Sequence, residues 1–153
     1  YEYYKDKQLN QYLLDEPWTE QTKHSEFAKK LAKQSLSEDA AVNLACVLDG
    51  IVIGDVAVWK KSMRNTVEIG YVFNPNYSHK GYAREAVAAI VRVLFAEYGI
   101  HRIEACMDAR NLSSSKLCEA IGMRREAHFI KDFWNKGEWT DSYIYGMLAE
   151  DLK

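Results

Sequence analysis

Residues 66–99 read TVEIGYVFNPNYSHKGYAREAVAAIVRVLFAEYG. The first part, "TVEIGYVF" (66–73), is an apolar, strand-like run rich in β-branched and aromatic side chains. The last part predicts a helix from Ala83 to about Tyr98. Ala83, Val87, Ile90, Val91 and Leu94 mark its apolar face, and Gly99 is placed to end it. Between them lies "YSHKGYA" (77–83), with a single glycine. A helix N-terminus carries unpaired N–H groups and about half a positive charge. If the helix starts at Ala83, the N–H groups from His79 to Ala83 can converge on one point. Gly81, without a Cβ, lets an anion approach the backbone. Lys80 and Arg84 add positive charge nearby. Neither G-x-x-x-x-G-K-[ST] nor G-x-G-x-x-G is present, so on the loop alone a plain turn and an anion cradle both stand.

Outward from this stretch the chain alternates recognisable segments. "EYYKDKQLNQYLL" (2–14) predicts a first helix, ended near Pro17. "EQTKHSEFAKKLAKQSL" (20–36) predicts a second, with Thr19 as a cap, Phe27 and Leu31 four apart, and Lys23, Lys29, Lys30 and Lys33 mostly on a solvated side. "AVNLACVL" (41–48) and "IVIGDVAVWK" (51–60) flank Asp49-Gly50, a strong hairpin signal. After the 83–98 helix come a strand, "HRIEACMDA" (101–109), and a short helix, "SSSKLCEAI" (113–121), stopped by Gly122. Two strands follow, "REAHFIKDFW" (125–134) and "WTDSYIYGMLA" (139–149), joined near Asn135-Lys136-Gly137. The order α-α-β-β-β-α-β-α-β-β puts antiparallel hairpins on both sides of one β-α-β crossover. That order predicts an α/β fold with a mixed, mostly antiparallel sheet and helices on its faces.

Composition narrows the class. The chain has 153 residues, which suits one domain over residues 1–153. Its net charge of −2 gives no general affinity for nucleic acid or an anionic membrane. No apolar run nears the roughly 20 residues of a membrane span, and no signal peptide is evident. Cys46, Cys106 and Cys118 are an odd set without metal-ligand spacing. They read as buried free thiols in a reducing compartment, hence a cytoplasmic protein without a structural metal.

A second segment gives the loop its context. "NLSSSKLCEAIGM" (111–123) follows the 101–109 strand, and Asn111 and Ser113 are natural helix caps. Taken in order, "EIGYVFNPNYSHKGYAREA", "HRIEACMDARNLSSSKLCEAIGM" and "FWNKGEWTDSYIYGML" resemble the GNAT superfamily of N-acetyltransferases. The branch they are most similar to is that of the ribosomal-protein N-terminal acetyltransferases. The resemblance runs from about Trp18 to the end and is strongest from Glu68 to Met123.

That resemblance implies acetyl-CoA as donor. The pyrophosphate would lie on the backbone of Ser78-His79-Lys80-Gly81-Tyr82-Ala83, where Ser78 departs from the family's glutamine or arginine. The pantetheine arm would pair with the backbone of Tyr71, Val72 and Phe73, in a splay between that strand and "RIEACMDA". Asn111 matches the asparagine that contacts this arm, and Ser114 the serine near the thioester sulfur. Leu117, Ile121 and Met123 would pack the short helix beneath. The family begins with a strand before its first helix. This chain shows none, which would leave "AVNLACVL" an exposed edge and favour a homodimer.

The implied reaction is direct attack of a primary amine on the thioester. A backbone N–H near Val72 or Phe73 would polarise the carbonyl, and Ser114 would donate to the leaving sulfur. At pH 7 roughly one α-amine in ten is neutral, against roughly one lysine in 2,500. A protein N-terminal α-amine therefore needs the weaker base and is the favoured acceptor. Glu68 is the candidate base or amine-orienting residue, with an ordinary strand carboxylate as the plain alternative. Glu104, Asp141 and Tyr143 are weaker candidates, and Trp18 and Trp134 could wall the acceptor cleft. The alternatives are a small-amine or aminoglycoside acetyltransferase, or a CoA-binding or partner-binding domain without transfer.

Overall fold

A computed structural model describes residues 1–37 and 40–152. Seven strands form one sheet: β1 (Gln34–Ser37), β2 (Ala40–Leu48), β3 (Ile51–Lys60), β4 (Thr66–Phe73), β5 (Arg102–Asp108), β6 (Arg124–Asn135) and β7 (Glu138–Leu148). Their spatial order is β1-β2-β3-β4-β5-β7-β6. Neighbours are antiparallel except β4 and β5, which are parallel and joined through α2 (Tyr82–Glu97). The expected α/β architecture is therefore present. Asp49 and Gly50 have positive φ of 49° and 79°, as a tight primed hairpin turn requires.

Strand alternation sorts the sheet into two faces. Val56 and Val58 of β3, Val67 and Ile69 of β4, Ile103 and Ala105 of β5, and Tyr145 and Met147 of β7 are buried in one cluster. Val87, Val91 and Leu94 of α2 and Cys118 of α3 (Leu112–Ala120) complete it. Each fully buried Val, Leu, Ile or Met among them contributes about 1.5–3 kcal/mol. The cluster packs the bodies of both helices against the middle of the sheet.

The opposite face is covered by the N-terminal segment, and here the structure departs from the sequence expectation. Residues 2–14 do not form an α-helix. They make turns and one 3₁₀ turn, Leu9–Tyr12. Side chains take the places of helical hydrogen bonds: the Asp6 carboxylate accepts from the N–H groups of Gln8 and Leu9, and Asn10 Nδ2 donates to the carbonyls of Tyr4 and Asp6. Tyr3, Tyr4 and Trp18 are buried together, with Leu9, Leu13 and Val72 packed against them. The Trp18 ring stacks on Tyr4 at 4.6 Å between centroids. The second helix, α1 (Lys23–Leu31), ends five residues earlier than expected, and Gln34–Ser37 pairs with β2 as β1. Phe27 and Leu31 lie more than half exposed. Among the described residues no strand precedes α1. The start of β2 is covered by β1, so the expected exposed edge is confined to the outer side of the later residues of β2.

Asp55 fastens this covering segment to the sheet. It stands on β3 opposite Val72 and is buried. Its Oδ1 accepts from the hydroxyls of Tyr4 (2.7 Å) and Tyr3 (3.2 Å), and its Oδ2 from Lys30 Nζ (2.8 Å). Lys30 thus leaves the solvated side of α1 to become the far anchor. Burial, with Asp55 adding to it, pushes both tyrosine hydroxyls well above their ordinary range. Asp55→Ala leaves one ammonium and two hydroxyls without their acceptor. It is expected to lower the free energy of unfolding in urea by on the order of 3 kcal/mol. A midpoint equal to the parent's contradicts the anchoring role.

Candidate functional site

β4 and β5 pair for three residues only, Thr66↔Arg102, Val67↔Ile103 and Glu68↔Glu104. Beyond that point each keeps its outer partner. β4 follows β3 to Phe73↔Gly54, and β5 follows β7 to Asp108↔Ser142. The two strands splay apart, and the inner backbone groups of both lose a ladder partner. Asn74 N–H is bonded to the Ile53 carbonyl on the β3 side (2.8 Å). Antiparallel alternation then turns the groups of Val72 toward β3 and those of Tyr71 and Phe73 toward the splay.

The end of β4 leads straight to the loop that opens α2. Gly81 is the N-cap, with φ 85° and no side-chain cap, and His79 also has positive φ, 60°. Nothing lies within 4 Å of where a Gly81 Cβ would stand. The first helical N–H to find a carbonyl is that of Glu85, on Gly81 (3.0 Å), so the N–H groups ahead of it are free for an anion. The Ser78 hydroxyl donates to the Pro75 carbonyl (2.6 Å) and is spent on the turn. The loop therefore offers backbone. Lys80 lies near the Tyr77 ring, and Arg84 is exposed. An open cradle of unpaired N–H groups with no Cβ in the way fits a pyrophosphate.

On the helical face the splay is bridged by side chains. Asn111 caps α3, its Oδ1 accepting from Ser114 N–H (3.1 Å), which leaves its Nδ2 for other partners. Ser114 Oγ donates to the Tyr71 hydroxyl (3.0 Å). The Tyr71 hydroxyl in turn donates to the Ser114 carbonyl (3.1 Å) and lies 3.1 Å from Cys118 Sγ. Burial pushes the Cys118 thiol up to about 11. Leu117, Ile121 and Met123 pack α3 and its end on the core. The Tyr71 side chain is the residue that sequence reasoning missed. The signal was available: Tyr71 shares strand parity with Val67 and Ile69, so it had to point at the helices.

The other face carries a row of ion pairs. Lys61 Nζ holds Glu68 at 2.5 Å and stands 3.7 Å from Glu104. Arg102 links Glu104 (2.8 Å) to Glu126, and Arg124 links Glu126 (3.0 Å) to Asp151. Glu68 thus stands beside the splay as a paired carboxylate. Cys106 lies nearby and is exposed rather than buried as the sequence suggested; partial desolvation of its sulfur, followed by the carboxylates of Glu68 and Asp132, pushes its thiol up to about 11. Asp141 is occupied structurally. Its Oδ1 accepts from Lys131 N–H (2.9 Å) and its Oδ2 meets His128 (3.0 Å), and these contacts hold its carboxyl below the ordinary range. Tyr143 packs edge-on against His128. Trp18 is buried under the N-terminal segment, and Trp134 is exposed against Trp139. Among the described residues no group of three His, Cys, Asp or Glu side chains is placed to hold a metal, and no helix is long and apolar enough to cross a membrane.

Known proteins share this fold. The Acetyltransferase (GNAT) domain family matches residues 1–124. An uncharacterized N-acetyltransferase of Bacillus subtilis strain 168, YnaD, is 37% identical over 152 residues, 99% of this chain and 86% of the relative. The crystal structure of a GNAT-family acetyltransferase from Bacillus anthracis superposes with a TM-score of 0.86 at 35% identity, over 97% of this chain and 86% of that one. Spermidine N-acetyltransferase from Vibrio cholerae, solved with CoA and spermine, shares the fold with a TM-score of 0.78 at 18% identity, over 98% and 88%. The chain belongs to the GNAT acetyltransferase family, and acetyl-CoA is its acetyl donor.

Proposed function

We propose that this acetyltransferase moves the acetyl group directly to a primary amine, with a protein N-terminal α-amine as the favoured acceptor. The carrying observation is the splay of β4 from β5, whose unpaired backbone opens onto the free N-terminus of α2. In this reading the N–H groups from His79 to Ala83 hold the pyrophosphate, the Ser78 N–H being bonded to the Pro75 carbonyl (3.1 Å), with Lys80 and Arg84 adding charge. Tyr71 and Phe73 supply the backbone that pairs with the pantetheine arm. The Phe73 N–H, turned into the splay, polarises the thioester carbonyl. Val72 walls the site from the other side, beneath Tyr3, Tyr4 and Trp18. Asn111 contacts the arm through Nδ2, Leu117 supports α3, and Ser114 donates a hydrogen bond to the leaving sulfur.

The amine enters over the face that carries Glu68. With Lys61 already on it, Glu68 orients the amine and passes its proton to water. An α-amine suits so weak a base, since roughly one in ten is already neutral at pH 7. The resemblance of the three segments, Asn111 and Ser114 among them, to the ribosomal-protein branch supports the same acceptor. A small cationic amine is the second reading, because Glu68, Glu104 and Asp132 gather around Cys106 with Lys61 among them.

Release of free thiol from acetyl-CoA, measured over a panel of N-terminal peptides, lysine side chains, polyamines and aminoglycosides, tests the reaction. N-terminal peptides are expected to turn over fastest. Preference for polyamines favours the second reading, and no turnover on any amine despite CoA binding removes the transferase reading. Gly81→Glu forces a side chain into a left-handed position and sets a negative charge in the cradle. It is expected to weaken CoA binding about tenfold or more by calorimetry. Unchanged affinity refutes the loop assignment. Pairing of two copies through the free outer edge of β2 belongs to the same proposal. Sedimentation is expected to give a dimer, and a monomer at micromolar concentration removes that part.

A further inference from the structure

Among the described residues, the Tyr71 hydroxyl is the point where β4 is tied to α3 by side-chain hydrogen bonds on the helical face of the splay. A phenol has one proton to give and two lone pairs to fill. At Tyr71 all three are used when the proton goes to the Ser114 carbonyl (3.1 Å) and the oxygen accepts from Ser114 Oγ (3.0 Å) and from Cys118 Sγ (3.1 Å). The Ser114 hydroxyl is therefore not free in this arrangement. Its proton is directed at Tyr71, and to serve a sulfur in the splay it must turn away. A hydroxyl that turns gives its proton to the sulfur and leaves the phenol one donor short, at a cost of about 1 kcal/mol or more. The same phenol can repair this. A rotation of its O–H from the Ser114 carbonyl to Ser114 Oγ restores the pair with the donor and acceptor reversed.

We propose that Tyr71 is a positioning residue for acetyl transfer: its hydroxyl parks Ser114 in one orientation across the splay and donates to Ser114 Oγ when that hydroxyl turns to the leaving sulfur. No proton leaves Tyr71 in this exchange and no covalent bond changes; one hydrogen bond is swapped for another. Burial favours the arrangement because it keeps the phenol protonated at any working pH. Cys118 is the third neighbour and keeps one lone pair of the phenol oxygen occupied in both orientations. The proposal rests on the reading that Ser114 acts on the sulfur, and the test separates the two.

A double-mutant cycle with Tyr71→Phe, Ser114→Ala and the double variant, read as kcat, KM for acetyl-CoA and melting temperature, decides it. Tyr71→Phe is expected to lower kcat about three- to tenfold with little change in KM. In the Ser114→Ala background the same substitution is expected to do nothing further, because its action runs through the missing hydroxyl. Ser114→Thr, which keeps the hydroxyl, is expected to recover most of the rate only while Tyr71 is present. Additive losses overturn the proposal, since a purely structural tyrosine would cost the same in either background. So does a Tyr71→Phe enzyme with parental kcat. A Ser114→Ala enzyme as fast as the parent overturns the Ser114 reading itself and the Tyr71 proposal with it. If Tyr71→Phe does not fold, Tyr71→His, which keeps a ring and an N–H donor, runs the same cycle.

Discussion

The parting of β4 from β5 is the constraint on which the rest depends. Two parallel strands that begin a ladder would ordinarily continue it. Here each is held harder by its antiparallel neighbour than by the other. Gly54 lets β3 follow β4 to its end. A Cβ there would collide with the Phe73 ring and the Val72 carbonyl. On the far side β5 stays with β7 as far as Ser142. The inner backbone groups between the diverging ladders cannot stay dry without a partner. They need water or an extended ligand, and that need makes a strand-like arm a natural occupant.

The two faces of the splay are closed in different ways, and the difference divides the labour. On the helical side Tyr71 reaches α3 through hydrogen bonds whose donors and acceptors can be exchanged. On the opposite side Val72 is covered by an aromatic segment, Tyr3, Tyr4 and Trp18, fixed by the buried Asp55 and its half-buried partner Lys30. The first closure can switch partners without moving atoms far. The second is rigid, since its carboxylate has three donors and no spare orientation. Contacts from Lys136 Nζ to the Asn10 carbonyl (2.6 Å) and from Asn135 Nδ2 to that of Leu13 join the segment to the β6–β7 hairpin. This face is therefore walled by residues from both ends of the chain.

Much of this was legible from residue pattern alone. The Asp49-Gly50 turn, the alternation of β4 and the 3.6-residue stripe of α2 each carry a local signal, and each formed. Gly81 was readable as a point of close backbone approach because it stands between a strand and an amphipathic helix, and the structure adds its left-handed conformation. The N-terminal segment was not readable. Its spacing of apolar residues suits a helix, but Asp6 and Asn10 satisfy the backbone locally, and the buried tyrosines answer to Asp55, some fifty positions away. The same holds for Glu68. Its place on the strand was visible, but its partner Lys61 depends on how the β3–β4 turn folds back. Long-range pairing, absent from any local window, decided both cases. Ser114 and Asn111 were visible as a motif, whereas the hydroxyl that holds Ser114 required the register of two elements at once.

Amide hydrogen exchange with and without CoA tests the central claim most directly. The account predicts slowed exchange in two segments together, at Tyr71 and Phe73 in β4 and from His79 to Arg84 at the opening of α2, with β2 and β3 unchanged. Binding of CoA that leaves both segments exchanging as before, or that protects another part of the sheet instead, would contradict it.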